Sequence, residues 1–197
     1  MRKQRVEAVN PVHRKTKEQL RKRKNRPRKE QQKRQKSQRK REQLKKQKLL
    51  FDGAFGTYYA QVYDTKELPE LANTLYPERV KKIHEEYMDA GAQIIRTNTF
   101  ATNTISLDMP WEKVQENIRQ GFRIAQHVAK VEGTYIAADI GQIPYDNQAE
   151  KETIAKQYVD ICRTFLEEGA DIFVFETFSD IDDIRKAVDF IKNQALV

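Results

Sequence analysis

Four times in the second part of this sequence, a short apolar run is followed by a longer stretch with apolar residues at helical spacing. Leu49-Leu50-Phe51 ends in Asp52-Gly53. Ala92-Gln93-Ile94-Ile95 ends in the polar cluster Thr97-Asn98-Thr99. Tyr135-Ile136-Ala137-Ala138 ends in Asp139-Ile140-Gly141, and Ile172-Phe173-Val174-Phe175 ends in Glu176-Thr177. Between the runs, residues 78–90 put Val80, Ile83, Tyr87 and Met88 on one helical face. Residues 111–132 do the same with Val114, Ile118, Phe122, Ala125 and Val128, and residues 151–168 form a third helix. Gly91, Gly133 and Gly169 stand where these helices should end, because glycine accepts the left-handed backbone of a helix C-terminus. Asp180 is placed to cap a last helix through Ile181, Ile184, Val188 and Ile191.

Continuous apolar strands alternating with helices predict an α/β protein with a parallel sheet covered by helices. Two architectures compete. A doubly wound sheet gathers its function at one topological switch point. A (β/α)8 barrel builds chemistry around the whole C-terminal rim of its strands. All four strand ends here are polar, which favours the barrel. A barrel of this kind needs roughly 250 residues, whereas residues 49–197 supply about the first four βα units.

Charge divides the chain at the same place. Residues 1–48 hold 22 Lys and Arg against four acids, a net charge of +18, and residues 49–197 hold 15 bases against 25 acids, a net charge of −10. The overall +8 therefore describes neither part, and one basic globular domain is excluded. The basic tail has helix-forming residue types but no apolar stripe, and Pro27 interrupts it. It reads as a disordered or intermittently helical segment. Electrostatic attachment to RNA or another polyanion is open to it, non-specific because no aromatic residue precedes Phe51. A misassigned start is a third reading.

The single cysteine, Cys162, excludes an internal disulfide and cannot alone hold zinc. Its neighbours in YVDICRTFLEEG make it a buried core thiol. His13, His84 and His127 have no metal-ligand spacing, and Trp111 reads as a packing residue. Tyr58, Tyr59 and Tyr63 fit a packed loop or a cover over a ligand. No apolar run spans a bilayer and no secretory signal is present, so a soluble, cytoplasmic protein without membrane partners is expected.

The residues are specific enough to carry a resemblance. FDGAFGT at 51–57, PELANTLYPERVKKIHEEYMDAGAQIIRTNTFATN at 69–103, ADIGQ at 138–142 and GADIFVFETFSDIDDIRKAV at 169–188 resemble the homocysteine S-methyltransferase family. The second stretch is long and the most specific. The resemblance covers residues 49–197 and none of residues 1–48. It implies a (β/α)8 barrel and transfer of a methyl group to the homocysteine thiol, giving methionine. In the family three cysteine thiolates hold a zinc ion that binds the homocysteine sulfur. Coordination deprotonates a thiol whose ordinary pKa is about 8.5.

Residue by residue, the resemblance implies that Asp52 and Gly53 lie around the amino acid moiety of homocysteine and that Glu176 faces its ammonium. Thr97, Asn98, Thr99 and Asp139 are the further substrate-binding candidates; the alternative for them is to satisfy backbone groups at strand ends. No residue is assigned as a catalytic group or metal ligand. The family's zinc cysteines lie in the later half of the barrel, and Cys162 matches none of them. Phe55 replaces the usual Met of the first motif, and Gln142 replaces the Pro after Asp-Ile-Gly. The resemblance thus implies the N-terminal half of an enzyme, inactive by itself, whose open edges favour self-association. A full-length parent could draw methyl from methylfolate through cobalamin, from betaine, or from S-methylmethionine or S-adenosylmethionine. The runner-up function is a non-catalytic polyanion- or RNA-binding protein acting through the tail.

Overall fold

The computed structural model describes residues 35, 42, 44, 46, 48–130, 134–192 and 194–195. The expectations for most of the tail, His13 and Gly133 lie outside the described residues. The helices and strands follow in the order α1 (Phe55–Tyr63), a 3-10 turn (Pro69–Leu71), α2 (Ala72–Leu75), α3 (Pro77–Asp89) and β1 (Ile94–Arg96). Next come α4 (Trp111–Val128), β2 (Tyr135–Gly141), α5 (Gln148–Glu168), β3 (Phe173–Glu176), a second 3-10 turn (Ile181–Ile184) and α6 (Arg185–Ile191).

The sheet is parallel, in the order β1-β2-β3. The expected first strand, Leu49–Phe51, is reduced to one parallel bridge between Phe51 and Ile94. Its backbone still joins β1: Gln93 N donates to Leu50 O at 2.8 Å and Asp52 N donates to Ile94 O at 2.9 Å. Spatial order therefore follows chain order from Phe51 to Glu176, without the reversal that defines a doubly wound sheet. β1 and β3 start later than their apolar runs, β2 starts with its run at Tyr135, and all three extend further at the polar end. The sequence pattern under-reads that polar end, because the ladder continues wherever backbone partners align, whatever the side chain.

Alternation along each strand sorts side chains onto two faces. Ile95 packs with Ala92 and Ala125 beneath the helices. Ala138 and Phe173 join the main core with Ile118, Phe122, Tyr158 and Phe165 from α4 and α5. Burying each such large side chain contributes about 1.5–3 kcal/mol. On the other face Ile94, Ala137 and Ile172 form a small apolar cluster, with Leu44, Leu49 and Val174 packed against it. Arg96, Asp139 and Glu176 each follow two or four residues later on that face, so the alternation that buries the aliphatic residues also brings the three charged groups together.

The helix stops follow expectation where they are described. Gly91 and Gly169 adopt φ of +99° and +98°, and Ala92 N and Ala170 N bond back to Tyr87 O and Phe165 O. Asp180 caps the second 3-10 turn, not a helix directly: its side chain accepts from Asp182 N at 2.9 Å, and α6 starts only at Arg185. Tyr58, Tyr59 and Tyr63 lie on a helix where a loop was expected; Tyr59 is buried and its ring lies 4.9 Å from that of Tyr63. Trp111 packs against the main core. No helix among the described residues is long and apolar enough to cross a membrane.

Candidate functional site

The C-terminal ends of the strands open into a cavity of about 620 Å³. Its walls include Gly53 to Thr57, Leu68 to Glu70, Arg96 to Ala101, Asp139, Glu176 and Thr177. That volume lies in the range of small-molecule pockets. Of the residues singled out in the sequence, Gly53, Thr97, Asn98, Thr99, Asp139 and Glu176 line the cavity. Asp52 sits behind the wall, with its side chain fully buried.

Arg96, which the sequence reading passed over, organises one side. Its backbone N and Nε each donate to the Asp52 carboxylate at 2.9 Å, and Nη1 donates to Glu176 Oε2 at 2.6 Å. Nη2 donates to Gly53 O at 2.8 Å. One guanidinium on β1 thus joins the segment after Phe51 to β3, with Nε, one Nη1 donor and Nη2 engaged within the protein. Burial pushes the Asp52 carboxyl upward, against the pull of the Arg96 hydrogen bonds. A lone basic residue among acids at a strand end was the available signal for Arg96, but only pairing across the sheet reveals its partners.

The threonines and asparagines have structural partners. Thr97 Oγ1 accepts from Asp139 N at 3.0 Å, and Thr99 Oγ1 donates to Asp139 O at 2.8 Å, so both clasp the backbone of β2. Asn98 Nδ2 donates to Pro69 O at 2.7 Å and to Asn73 Oδ1 at 3.0 Å. Asn73 Nδ2 donates in turn to Asn98 O and to Asn117 Oδ1, and Asn117 Nδ2 donates to Glu70 O. This buried amide network pins the Pro69–Leu71 turn against α4 and carries Glu70 into the cavity wall.

Glu70 is the second residue missed in the sequence. It is 3% exposed; Oε1 accepts from Ala101 N at 2.9 Å, and Oε2 has no hydrogen-bond partner. Burial raises its pKa. Asp139 is 5% exposed and its Oδ1 is also unpartnered. Burial first, and then the neighbouring Glu176 charge, push the Asp139 carboxyl up to about 8.

The N-terminus of α1 forms another wall. Its first helical bond is Tyr58 N to Ala54 O at 3.2 Å, and no side chain caps it. The N–H groups of Phe55, Gly56 and Thr57 therefore lack partners inside the helix, the arrangement that favours an anion. Gly53 packs closely just before it: a Cβ there would lie 2.9 Å from the Tyr87 ring, which would have to shift. Thr177 holds φ of +63°, a strained backbone for a β-branched residue, directly after Glu176. Gln142, in place of proline, ties two rim loops together by accepting from Ser179 N at 3.2 Å.

Nothing here suits a thiolate-bound zinc. Cys162 is fully buried in α5 and its thiol is pushed up to about 12 by burial. Among the described residues no three His, Cys, Asp or Glu side chains are grouped to hold a metal. His84 is buried in α3, 5.1 Å from the Phe55 ring, and His127 is exposed.

The fold and cavity define an α/β protein with a small-molecule pocket at the carboxyl ends of parallel strands. The model of the homocysteine S-methyltransferase family matches residues 49–197, and the chain belongs to that family. The chain is 28% identical over 130 residues to a methionine synthase of Mycobacterium tuberculosis, a match covering 60% of this chain and 11% of that protein. It is 25% identical over 129 residues to betaine–homocysteine S-methyltransferase 1 of Danio rerio, covering 63% of this chain and 32% of that one. The chain thus spans from about a tenth to a third of these relatives. Its fold is shared with the homocysteine methyltransferase MmuM from Escherichia coli in its oxidized form, with a TM-score of 0.62 at 19% identity, covering 76% of this chain and 60% of that one.

Proposed function

We propose that residues 49–197 carry the amino-acid-binding part of a homocysteine S-methyltransferase and form the first half of its (β/α)8 barrel. The observation that carries this reading is the cavity at the strand ends, walled by the first turn of α1 and by buried carboxylates. An α-amino acid presents the matching pair, a carboxylate and an ammonium. The family membership and the relatives' names support homocysteine as that amino acid. Gly53 and the start of α1 are assigned to its carboxylate, while Asp52, Thr97, Asn98 and Thr99 shape and fix the wall. Glu176 borders the pocket beside Arg96.

Methyl transfer needs the homocysteine sulfur as thiolate, and zinc supplies that activation in the family. This chain's residues do not fit the metal, so its own part is to bind and orient the amino acid. The thiolate-activating groups belong outside residues 49–197, as do the determinants of the methyl donor. A second copy of the chain is the simplest partner for the exposed sheet edge at Leu50 and Phe51. Calorimetry with L-homocysteine on the full chain tests the reading. Binding with a dissociation constant of about 1 mM or tighter, without methionine formation from added methyl donors, is expected. Absence of any homocysteine binding overturns it.

A further inference from the structure

Helices α4 and α5 cover one face of the sheet, yet apolar residues on the opposite face are buried as well. Ile94 is 5% exposed, Ala137 0% and Ile172 7%. Leu44, Leu49, Tyr135 and Val174 pack against them. Tyr135 and Val174 are strand residues, and Leu49 belongs to the first strand segment. Among the described residues only Leu44 comes to this cluster from elsewhere, out of the basic segment that precedes the fold.

The local sequence leaves no other residue for this place. Leu44 is the single apolar side chain of residues 35–48, with Arg39, Lys40 and Arg41 before it and Lys45, Lys46 and Lys48 after it. Glu42 and Leu44 are helical; Glu42, Lys46 and Lys48 are exposed, whereas Leu44 is half-buried. The apolar side chain thus meets the sheet while these charged neighbours stay in water, the arrangement that burial free energies favour. Charge favours it too, because residues 1–48 carry +18 and residues 49–197 carry −10. Ile94 and Ala137 lie two residues before Arg96 and Asp139 on the same strands, about 7 Å along them. Leu44 therefore sits towards the end of the sheet away from the cavity mouth.

We propose that the segment around Leu44 is the internal partner of this sheet face: it seats Leu44 on Ile94, Ala137 and Ile172 and closes the face to other chains. The seat is apolar, and charge attraction only steers the segment to it. A second copy is then left with the sheet edge at Leu50 and Phe51, not the face. The basic segment departs from the end opposite the cavity, which stays open to its ligand. Nothing in this placement depends on which ligand the cavity takes.

Cross-linking on the full chain tests the seat directly. Leu44→Cys is combined with Val174→Cys, and Leu20→Cys with Val174→Cys serves as the comparison, because Leu20 is the other leucine of the basic segment. Cys162 is buried and does not compete. Under copper–phenanthroline oxidation the Leu44→Cys pair should form its intramolecular disulfide about tenfold faster or more, since docking raises the effective concentration. That lead should persist from about 0.1 M to about 1 M salt, where screening removes charge steering. In a second arm, Leu44→Asp should raise the fluorescence of anilinonaphthalene sulfonate several-fold and give larger species than wild type in light scattering. Leu44→Met should change neither. Equal linking of the two pairs, or a Leu44→Cys pair that links only at low salt, overturns the seat and leaves charge attraction alone. Dye binding by folded Leu44→Asp no greater than by wild type also overturns it, because no face was closed. Should thermal melts show Leu44→Asp unfolded, the cross-linking arm decides alone.

Discussion

The two carboxylate pairs of the cavity differ in how their charge is met, and only Glu176, its side chain 31% exposed, reaches solvent to any extent. Asp52 and Glu176 are joined through one guanidinium, so the chain itself supplies their counter-charge. Glu70 and Asp139 share the same cavity wall and keep unpartnered oxygens. The first pair behaves as structure, closing the span from the first strand segment to β3. The second carries an unmet demand, and unmet demand in a cavity is what a ligand answers. The difference shows why acidity alone is a poor guide to a binding residue; what matters is which acids are already answered from within.

The largest effect should come from breaking the satisfied pair. Arg96→Met leaves Asp52 buried with no cation, and removing one partner of such an ion pair costs about 3–5 kcal/mol. Urea unfolding of the variant should show that loss, and combining it with Asp52→Asn should recover part of it. An unchanged midpoint would mean that Arg96 is not a clamp.

Substitution in the unsatisfied pair should act in the opposite direction. The folded-state pKa of Asp139 is raised from 3.8 to about 8, mainly by burial. Its favourable contribution is therefore fully present below pH 3.8 and is lost as pH rises through 8. The charges of Glu176, Arg96, Asp52 and Glu70 face it and act on it. Asp139→Asn should stabilise the unliganded chain at pH 8 by roughly 2–4 kcal/mol, and the gain should shrink towards pH 4. A variant less stable than wild type at pH 8 would contradict the orphan description.

His84 supplies a third buried group lacking partners, this one not on the cavity wall. Both ring nitrogens are unpartnered and burial lowers its pKa from 6.5 to about 4. Its contribution is complete above pH 6.5 and is lost as pH falls through 4, a change on the order of 3 kcal/mol. His84→Leu should flatten that acid limb while leaving amine binding untouched. The smallest effect lies at the apolar end of the same sheet face. Leu44 packs against Ile94, Ala137 and Ile172, so Leu44→Ser should cost about 1 kcal/mol in a melt of the full chain.

Much of the architecture was legible because it rests on periodicity. Apolar runs marked β1, β2 and β3, helical spacing marked α3, α4 and α5, and Gly91 and Gly169 marked two stops. The first strand was over-read, since Leu49–Phe51 has strand composition but makes only the one bridge at Phe51. Helix α1 was missed because its aromatic residues and glycine carry little helical signal. At the site, the polar strand ends pointed to the right region. They could not separate Asp52 from Asp139, because the distinction lies in Arg96, whose partners are 44 and 80 residues away. Glu70 was illegible for a similar reason: its burial depends on an asparagine network assembled from three separate segments.

The most direct measurement is the carboxyl titration of Asp139 by carbon-13 NMR in the full chain, with and without L-homocysteine. A pKa of about 8 is expected in the free protein, lowered by about one unit or more when the ammonium of the amino acid enters the cavity. An Asp139 carboxyl in the ordinary range without ligand, or one that homocysteine leaves unmoved while bound, would contradict it.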